Sequence, residues 1–438
     1  MADIPRKAAA RTAKLASLPL GVAGRVVGGW GRRLVGQNAD DVQADISART
    51  AEQLFAVLGQ LKGGAMKFGQ ALSVFEAAVP EELAGPYREA LTKLQTAAPP
   101  MPARTVHRVL VEQLGTGWTK RFAEFDDAPA ASASIGQVHR AVWHDGREVA
   151  VKVQYPGADE ALLADLRQLQ RFSRVFQAFV PGAEVKPLLN ELRDRMAEEL
   201  DYRTEADHER AFAAAFDGDK QVFVPKVVAS APKVMVTEWV TGTPLAEIIR
   251  EGSVADRNES GRLLAEFHFS SPARVGLLHA DPHPGNFMLL DDGRLCVLDF
   301  GACARLPEGI PRTLGVMSRL AMERKSDELI DLLRTEHFIR PGSDLDGEDV
   351  LSYLAPFTEP LAPERFHFTR RWLRRQAWRV GDTRGNDFQT GRSLNLPPEY
   401  LLIHRVTLGA TGILCQLDAE LPAREIVMRW QPGFAPDS

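Results

Sequence analysis

The first strong periodicity in the chain lies between residues 54 and 75, where apolar residues recur at alternating steps of four and three. Such spacing places one apolar stripe along a helix. The stripe consists of Leu54, Leu58, Leu61, Ala65, Phe68, Leu72 and Phe75. Pro80 and the PPMP run at 99–102 end this region, and residues 103–117 predict another short helix that closes at Gly115 or Gly117. Residues 1–100 are therefore predicted to form a helical extension.

From Phe122 the pattern changes to short apolar segments separated by turn residues. The segments SIGQVHRAVWH and EVAVKVQY flank Asp145-Gly146 and predict a β-hairpin with a two-residue loop. Helical composition returns over 157–216, and VFVPKVV and KVMVTEWV then predict strands that end at the TGTP of 241–244, a candidate hinge. A helix through Glu266 and Phe267, a hairpin around 291–293 and a mostly helical remainder follow. This order predicts an α+β fold with two lobes.

Composition is that of a globular chain, with 438 residues, 45% hydrophobic and 25% charged. Three cysteines without a CxxC pair favour neither a disulfide framework nor a zinc site. No stretch approaches the roughly 20 uncharged apolar residues that span a bilayer, and the apolar run 406–417 is too short. We therefore expect a soluble or peripheral protein.

The net charge of −5 conceals a basic leader. Residues 1–37 contain seven basic side chains and one acid, while the remainder carries 46 basic and 57 acidic residues. An acidic body does not indicate a nucleic-acid binder. Three interpretations of the leader stay open: an arm that binds an anionic membrane surface, a frayed basic tail, and a mitochondrial transit peptide. The location is expected to be cytoplasmic with peripheral membrane contact in a bacterium, or the matrix side of a mitochondrion.

The segment HADPHPGNFMLLDDGRLCVLDFGA, residues 279–302, predicts a phosphoryl-transfer site. Asp281 is followed by Asn286 five residues later and by Asp299, in an Asp-Phe-Gly, after thirteen more. Phosphoryl transfer needs one carboxylate to orient or deprotonate the acceptor, and an amide oxygen with a second carboxylate to hold Mg²⁺. Asp281 fits the first role, and Asn286 and Asp299 fit the second. His283 is either a phosphate contact or a structural loop residue.

Upstream, Lys152 of the VAVK segment lies in the second strand of the predicted hairpin, where it would bridge nucleotide phosphates. Among the acids of EELDYRTEADHE we favour Glu205 as its partner, because an unpaired buried lysine tends to lose its charge. The glycine-rich loop typical of kinases is absent from the sequence. A loop of small residues stands in its place and should be stiffer; its predicted nucleotide contacts are Ala131, Ser132, Ala133 and Ser134.

Together these segments resemble the UbiB family of atypical kinases, also called the AarF/ADCK group. The resemblance rests on Lys67-Phe68-Gly69-Gln70, LQTAAPPMP at 94–102, ASASIGQVHRA, VAVKVQYPG, Glu199-Leu200-Asp201-Tyr202 and the block from HADPHPGN to DFG, and covers roughly residues 50–305. In that family a protein-kinase-like fold carries an N-terminal helical extension whose KxGQ motif covers the peptide site. The family's AAAS loop is Ala-Ser-Ala-Ser here, a change that bears on nucleotide preference.

The resemblance implies roles for further residues. Lys67 would be the KxGQ lysine, and Glu199 and Asp201 the acids that face it in the active site. Glu238 and Val240, just before the hinge, are predicted nucleotide-binding residues. The implied domains are a basic amphipathic leader (1–37), a helical extension (38–120), a kinase-like N-terminal lobe with inserted helices (121–240) and a C-terminal lobe (241–438).

Three functions are compatible with the sequence. The resemblance implies a kinase or ATPase that binds ATP or ADP with Mg²⁺ and supports isoprenoid-quinone biosynthesis, with a lipid or quinone precursor, an anionic membrane and quinone-biosynthesis proteins as partners. A small-molecule phosphotransferase of the aminoglycoside or choline kinase type is the alternative, because HADPHPGN also resembles its catalytic loop. A nucleotide-binding scaffold without turnover is the third.

Overall fold

The computed structural model describes residues 100–133, 135–157, 200–382 and 384–435. Its helices are α1 (Ala103–Leu114), α2 (Tyr202–Ala215), α3 (Leu245–Glu251), α4 (Val254–Val275), α5 (Arg312–Met322), α6 (Ser326–Thr335), α7 (Gly347–Thr358), α8 (Arg370–Gly381), α9 (Asn386–Ser393), α10 (Pro398–Leu417) and α11 (Ala423–Trp430). Short 3₁₀ helices cover Trp118–Arg121, Pro284–Asn286 and Glu359–Leu361.

The strands are β1 (Phe122–Ser132), β2 (Gly136–Trp143), β3 (Glu148–Gln154), β4 (Val222–Phe223), β5 (Val227–Ala231), β6 (Val234–Glu238), β7 (Thr243–Pro244), β8 (Leu277–His279), β9 (Phe287–Leu289), β10 (Leu295–Val297), β11 (Cys303–Arg305), β12 (Phe366–His367) and β13 (Glu420–Leu421). An antiparallel sheet of order β1-β2-β3-β6-β5 forms the N-terminal lobe. The mixed helix and sheet architecture confirms the predicted α+β class.

The loop between β2 and β3 corrects one prediction. Residues 144–147 join the strands, instead of a two-residue turn. The amide of Gly146 donates to the carbonyl of Trp143, and the amide of Trp143 donates to the carbonyl of Arg147. Gly146 has a φ of 89°, in the left-handed region that glycine enters without strain. The turn closes on this glycine and adds a bulge before β3 begins.

Helix α2 presents an unusual buried stripe to the sheet. Asp201 caps the helix, because its side chain accepts a hydrogen bond from the amide of Arg203. The buried positions recur at helical spacing and include two acids: Tyr202, Glu205, Ala206, Glu209 and Phe212. Carboxyls at i and i+4 share a face of a helix, so Glu205 and Glu209 are both turned inward. That face is where the site is built.

The C-terminal lobe is organised around α4. Ser253 caps its start by accepting from the amide of Asp256, and Gly276, with a φ of 70°, ends it. A four-stranded sheet of order β4-β10-β9-β7 and the β8–β11 pair lie beside it. Thr243 and Pro244 pair with Leu289 and Met288, so half of the segment predicted as a hinge is strand. The link between the two larger sheets is therefore 239–242.

Helix α10 is longer than the apolar run that the sequence suggested. It begins at Pro398, and by length and composition alone it could cross a membrane; in its most apolar window 61% is buried inside the protein. Core helices of soluble proteins pass the same test, so length and composition carry little weight beside this burial. The helix packs against α4, with Ile413, Leu414 and Leu417 in the core of the lobe.

Candidate active site

Lys152 joins the two lobes through two carboxylates. From the middle of β3 its Nζ donates to Oε1 of Glu205 at 2.6 Å and to Oδ2 of Asp299 at 3.2 Å. Glu205 comes from α2, and Asp299 follows β10. Lys152 is 13% exposed and Glu205 only 4%. The predicted pairing of Lys152 with Glu205 is thus present, and it is the arrangement that a competent kinase site requires.

The charge of Lys152 is held by its surroundings. Burial alone would lower its pKa, but Asp299, Glu205 and Tyr202 outweigh burial and raise the pKa of Lys152 well above its usual value. The ring of Tyr202 lies 5.0 Å from Nζ, close enough for a cation–π contact. Lys152 is therefore a fixed cation across the physiological pH range.

The loop after β8 carries the predicted catalytic aspartate. The Asn286 side chain donates from Nδ2 to the backbone carbonyl of Asp281 at 3.0 Å, and the amide of Leu298 donates to the carbonyl of Asn286 at 2.9 Å. The side chain of His283 accepts from the amide of Gly285 and caps the 3₁₀ helix. His283 thus has a structural role in this loop, and its contact with a phosphate stays a prediction.

This loop and the segment after β10 each present an oxygen ligand suited to Mg²⁺. The hydrogen bond of Asn286 uses its amide nitrogen, which leaves Oδ1 as the atom able to bind a cation. Oδ1 of Asp299 accepts from the amide of Gly301 at 3.0 Å, a bond that fixes the carboxylate plane. Among the described residues no group of three or more His, Cys, Asp or Glu could hold a metal ion. A magnesium ion that arrives with a nucleotide needs only one or two protein oxygens, so Asn286 and Asp299 fit it.

The His279 side chain holds the backbone of Asp299 in place. Its Nε2 donates to the backbone carbonyl of Asp299 at 2.6 Å. The ring is buried among aromatic neighbours, with centroids 5.6 to 5.7 Å from Phe267, Phe287 and Phe300. His208 donates to the carbonyl of Phe300 at 3.2 Å. Two histidines therefore fix the backbone of the Asp-Phe-Gly segment, and sequence spacing had drawn attention only to the first.

The loop of small residues forms the turn from β1 to β2. Ala131 and Ser132 are exposed at the end of β1, and the amide of Ala133 donates to the carbonyl of Gly136 at 2.9 Å. A Cβ at Gly136 would lie 2.3 Å from the carbonyl oxygen of Val153, so only glycine allows this close approach to β3. Ser134 lies outside the described residues. Contact of this loop with a nucleotide stays a prediction.

Of the other predicted site residues, three lie in the described part of the chain and two lie outside it. Glu238 ends β6 and accepts from the amide of Lys226 at 3.1 Å, and Val240 lies in the link between the sheets. Asp201 is more than one third exposed and pairs with Arg203 at 2.6 Å. This pair holds the pKa of Asp201 below its usual value. Lys67 and Glu199 lie outside the described residues, so the predicted contact of Asp201 with Lys67 stays a prediction.

Two buried polar groups were given no role by sequence reasoning, and one of them, Glu209, lies beside this site. Gln137 accepts from the amide of Met101 at 2.7 Å and is 1% exposed, so it ties β2 to the segment before α1. Glu209 is equally buried, and its Oε2 has no hydrogen-bond partner among the described residues. Burial, Glu205 and Asp299 raise the pKa of Glu209 well above its usual value, although Lys152 opposes them. The only sequence signal for Glu209 was its place four residues after Glu205.

The fold and the Lys152 cluster define a kinase-like protein. The description "ABC1 atypical kinase-like domain" matches residues 93–332, more than half of the chain, and the chain belongs to this family. This confirms the resemblance found in the sequence, because the curated relatives carry the names of COQ8 atypical kinases. The family match begins and ends later than the motifs that carry the resemblance.

Three relatives illustrate the similarity. The chain is 34% identical over 265 residues to "Atypical kinase coq-8, mitochondrial" of Caenorhabditis elegans, covering 59% of this chain and 34% of that protein. It is 31% identical to "Atypical kinase COQ8B, mitochondrial" of Danio rerio, covering 60% and 42%. A solved structure, "The complex structure of Rv3197-erythromycin from Mycobacterium tuberculosis", is 50% identical, with a TM-score of 0.71, and covers 91% of this chain and all of that one. The chain thus matches less than half of each of the two curated relatives.

Proposed function

We propose that this protein is an atypical kinase or ATPase that binds MgATP and supports isoprenoid-quinone biosynthesis, or related lipid metabolism, at a membrane surface. The observation that carries the proposal is the contact of Lys152 with both Glu205 and Asp299. This contact aligns the two lobes around the place where a nucleotide would lie. The family supports the kinase class, and the proposed role in quinone biosynthesis is based on the resemblance to UbiB proteins.

Each polar residue of the cleft has a proposed task. Lys152 binds phosphate oxygens while Glu205 keeps it oriented. Asn286 and Asp299 hold Mg²⁺, which neutralises phosphate charge when bound. Asp281 orients the acceptor hydroxyl or water and accepts its proton. Lys67, paired with Glu199 and Asp201, closes the peptide groove, so that peptide phosphorylation is not expected.

The proposed test is phosphate release from MgATP, measured with and without anionic liposomes that contain a quinone. Asp299→Asn keeps the size of the side chain but removes the charge that binds Mg²⁺, and should lower release by at least ~10²-fold. The matched control is Asp291→Asn, at an exposed turn eight residues earlier, and should leave release unchanged. Stimulation by liposomes in the wild type, lost in Asp299→Asn, is the expected result.

Two outcomes would contradict the proposal. Nucleotide binding without release, with or without liposomes, would favour a scaffold. ADP formation that depends on a soluble hydroxylated acceptor and ignores liposomes, with the phosphoryl group transferred to that acceptor and not released as phosphate, would favour a small-molecule phosphotransferase, whose catalytic loop has the same residues. Asp299→Asn protein that retains full release would remove Asp299 from its role under either alternative.

A second candidate function is macrolide binding. The observation that favours it is the complex of the solved relative with erythromycin, together with 50% identity over 91% of this chain. A calorimetric titration of the full chain with erythromycin, in the presence and absence of MgATP, tests this function. Saturable binding supports it, and no heat of binding under both conditions contradicts it.

A further inference from the structure

The C-terminal lobe contains a large cavity that is separate from the cleft of Lys152. Its volume is about 350 Å³, and it lies between α4, α5, α7 and α10. The lining includes His268 from α4, Met317 from α5, Tyr353 and Phe357 from α7, and Ile403 and Thr407 from α10. Protein interiors are packed as densely as organic crystals, and voids larger than a water molecule are few. A cavity of this size has the dimensions of a ligand site.

The described wall of the cavity is without charge. None of the described residues that line it is a lysine, arginine, aspartate or glutamate. Two histidines face it, and both are neutral near pH 7, because burial and nearby His279 lower the pKa of His268 to about 4 and burial lowers the pKa of His404. A charged ligand would lose its hydration in this cavity without gaining an opposite charge.

A few polar groups interrupt the apolar wall. Nε2 of His268 lies 3.1 Å from Oγ1 of Thr407, which joins α4 to α10 across one end of the cavity. The ring of His404 lies 5.4 Å from that of Phe357. Apolar walls with a small number of placed hydrogen-bonding groups are typical of small-molecule sites, where the polar groups orient the ligand.

The cavity is mostly built outside the family domain. The ABC1 match ends at residue 332, whereas α7 and α10 lie beyond it. On α4, Phe267 contacts the His279 ring of the active site, and its neighbour His268 lines the cavity. The two sites therefore share one helix but not one set of side chains.

We propose that this cavity binds a neutral organic molecule with an apolar body and one hydroxyl or carbonyl group. The apolar walls hold the body, and the pair of His268 and Thr407 hydrogen-bonds the polar group. This proposal does not depend on nucleotide turnover, so its failure and the failure of the proposed function are distinguishable.

The test compares two probes of equal chain length on the full-length protein at pH 8. The neutral probe is 1-dodecanol and the charged one is dodecanoate, each measured by displacement of the fluorescent apolar dye Nile red. We expect 1-dodecanol to displace the dye at least ten-fold more effectively than dodecanoate. Equal displacement by the two probes, or no binding of Nile red and no effect of 1-dodecanol, would overturn the proposal.

Filling variants locate the site. Ala410→Leu on α10 and Ser318→Leu on α5 reduce the cavity from two walls, and each should weaken 1-dodecanol binding at least ten-fold. Leu408→Phe enlarges an exposed side chain on α10 and should change binding less than two-fold. The circular dichroism spectrum and the urea denaturation midpoint of each variant, compared with the wild type, show whether the fold is retained. Unchanged affinity in both folded filling variants would contradict the assigned site.

Discussion

The cleft and the cavity bury polar chemistry in opposite ways. Among the described residues of the cleft, Lys152 lies with several carboxyls, and its charge is kept by Glu205 and Asp299. In the cavity, the described lining residues carry no permanent charge, and the histidines there are neutral. Burial raises the free energy of any charge, so a charge persists only where partners compensate it. The cleft thus suits phosphate chemistry, and the cavity suits an uncharged guest.

The largest effect is expected when one partner of the buried ion pair is removed. Glu205→Ala leaves Lys152 buried beside Asp299 alone, and should destabilise the protein by about 3–5 kcal/mol in chemical denaturation. The matched control is Glu251→Ala, which breaks an exposed pair with Arg250 and should cost less than about 1 kcal/mol. The comparison fails if the two variants lose similar stability.

A double variant sharpens this result. Lys152→Met combined with Glu205→Leu removes both charges and keeps apolar volume, so it should recover a substantial part of the stability that Glu205→Ala loses. Phosphate release should be absent in this double variant, because it lacks Lys152. Recovery of stability without recovery of release would separate what the pair does for folding from what it does for phosphate binding.

A smaller effect is expected from His268 and appears as acid sensitivity. The pKa of this imidazole is about 4 in the folded protein and near 6.5 when exposed. Below pH 6.5 the unfolded chain binds a proton that the folded chain does not, so stability falls as pH falls, by about 3 kcal/mol down to pH 4. His268→Gln should abolish this part of the loss of stability between pH 7 and pH 4.5, as measured by urea denaturation. The control variant His144→Gln, at an exposed position, should lose stability as the wild type does. If the stability of His268→Gln falls with pH as steeply as that of the wild type, the prediction is wrong.

The sequence predicted the cleft much better than the cavity, for a physical reason. Residues such as Lys152 and Asp299 stand in motifs whose spacing reflects a chemical task, so they were found without coordinates. Glu205 was identified because a buried lysine needs a partner. The lining of the cavity comes from helices spread over more than a hundred residues of the chain, and each shows ordinary apolar periodicity. A helix pattern shows which face is buried, but it does not show whether that face meets another side chain or a space.

The other differences between the predictions and the structure have two causes, one local and one long-range. Gly146 altered the loop length because a positive φ favoured a bulge over the shorter turn. The hydrogen bond of Gln137 to Met101 joins residues 36 apart and has no signal in either segment alone. The domain boundaries, and the roles proposed for the site residues, stay predictions.

The pH dependence expected at Glu209 has the opposite sign to that of His268. The pKa of Glu209 is raised, with the nearby charge of Lys152 offsetting part of the effect of burial. As pH rises above about 4.5, the unfolded chain releases a proton that the folded chain keeps, so stability falls as pH rises. Glu209→Gln is neutral at every pH and should gain stability relative to the wild type between pH 5 and pH 8, with little difference at pH 4.5.

Urea denaturation at pH 4.5 and at pH 8 measures this gain in stability. The matched control is Glu251→Gln, at an exposed position, which should show no gain. A difference between Glu209→Gln and the wild type that does not change with pH would mean that Glu209 is ionised in the folded protein. Among the described residues, Glu205, Glu209 and Asp299 would then be three carboxylates beside Lys152. That excess of negative charge would make the binding of a cation, and not only of a nucleotide, a condition for full stability of the site.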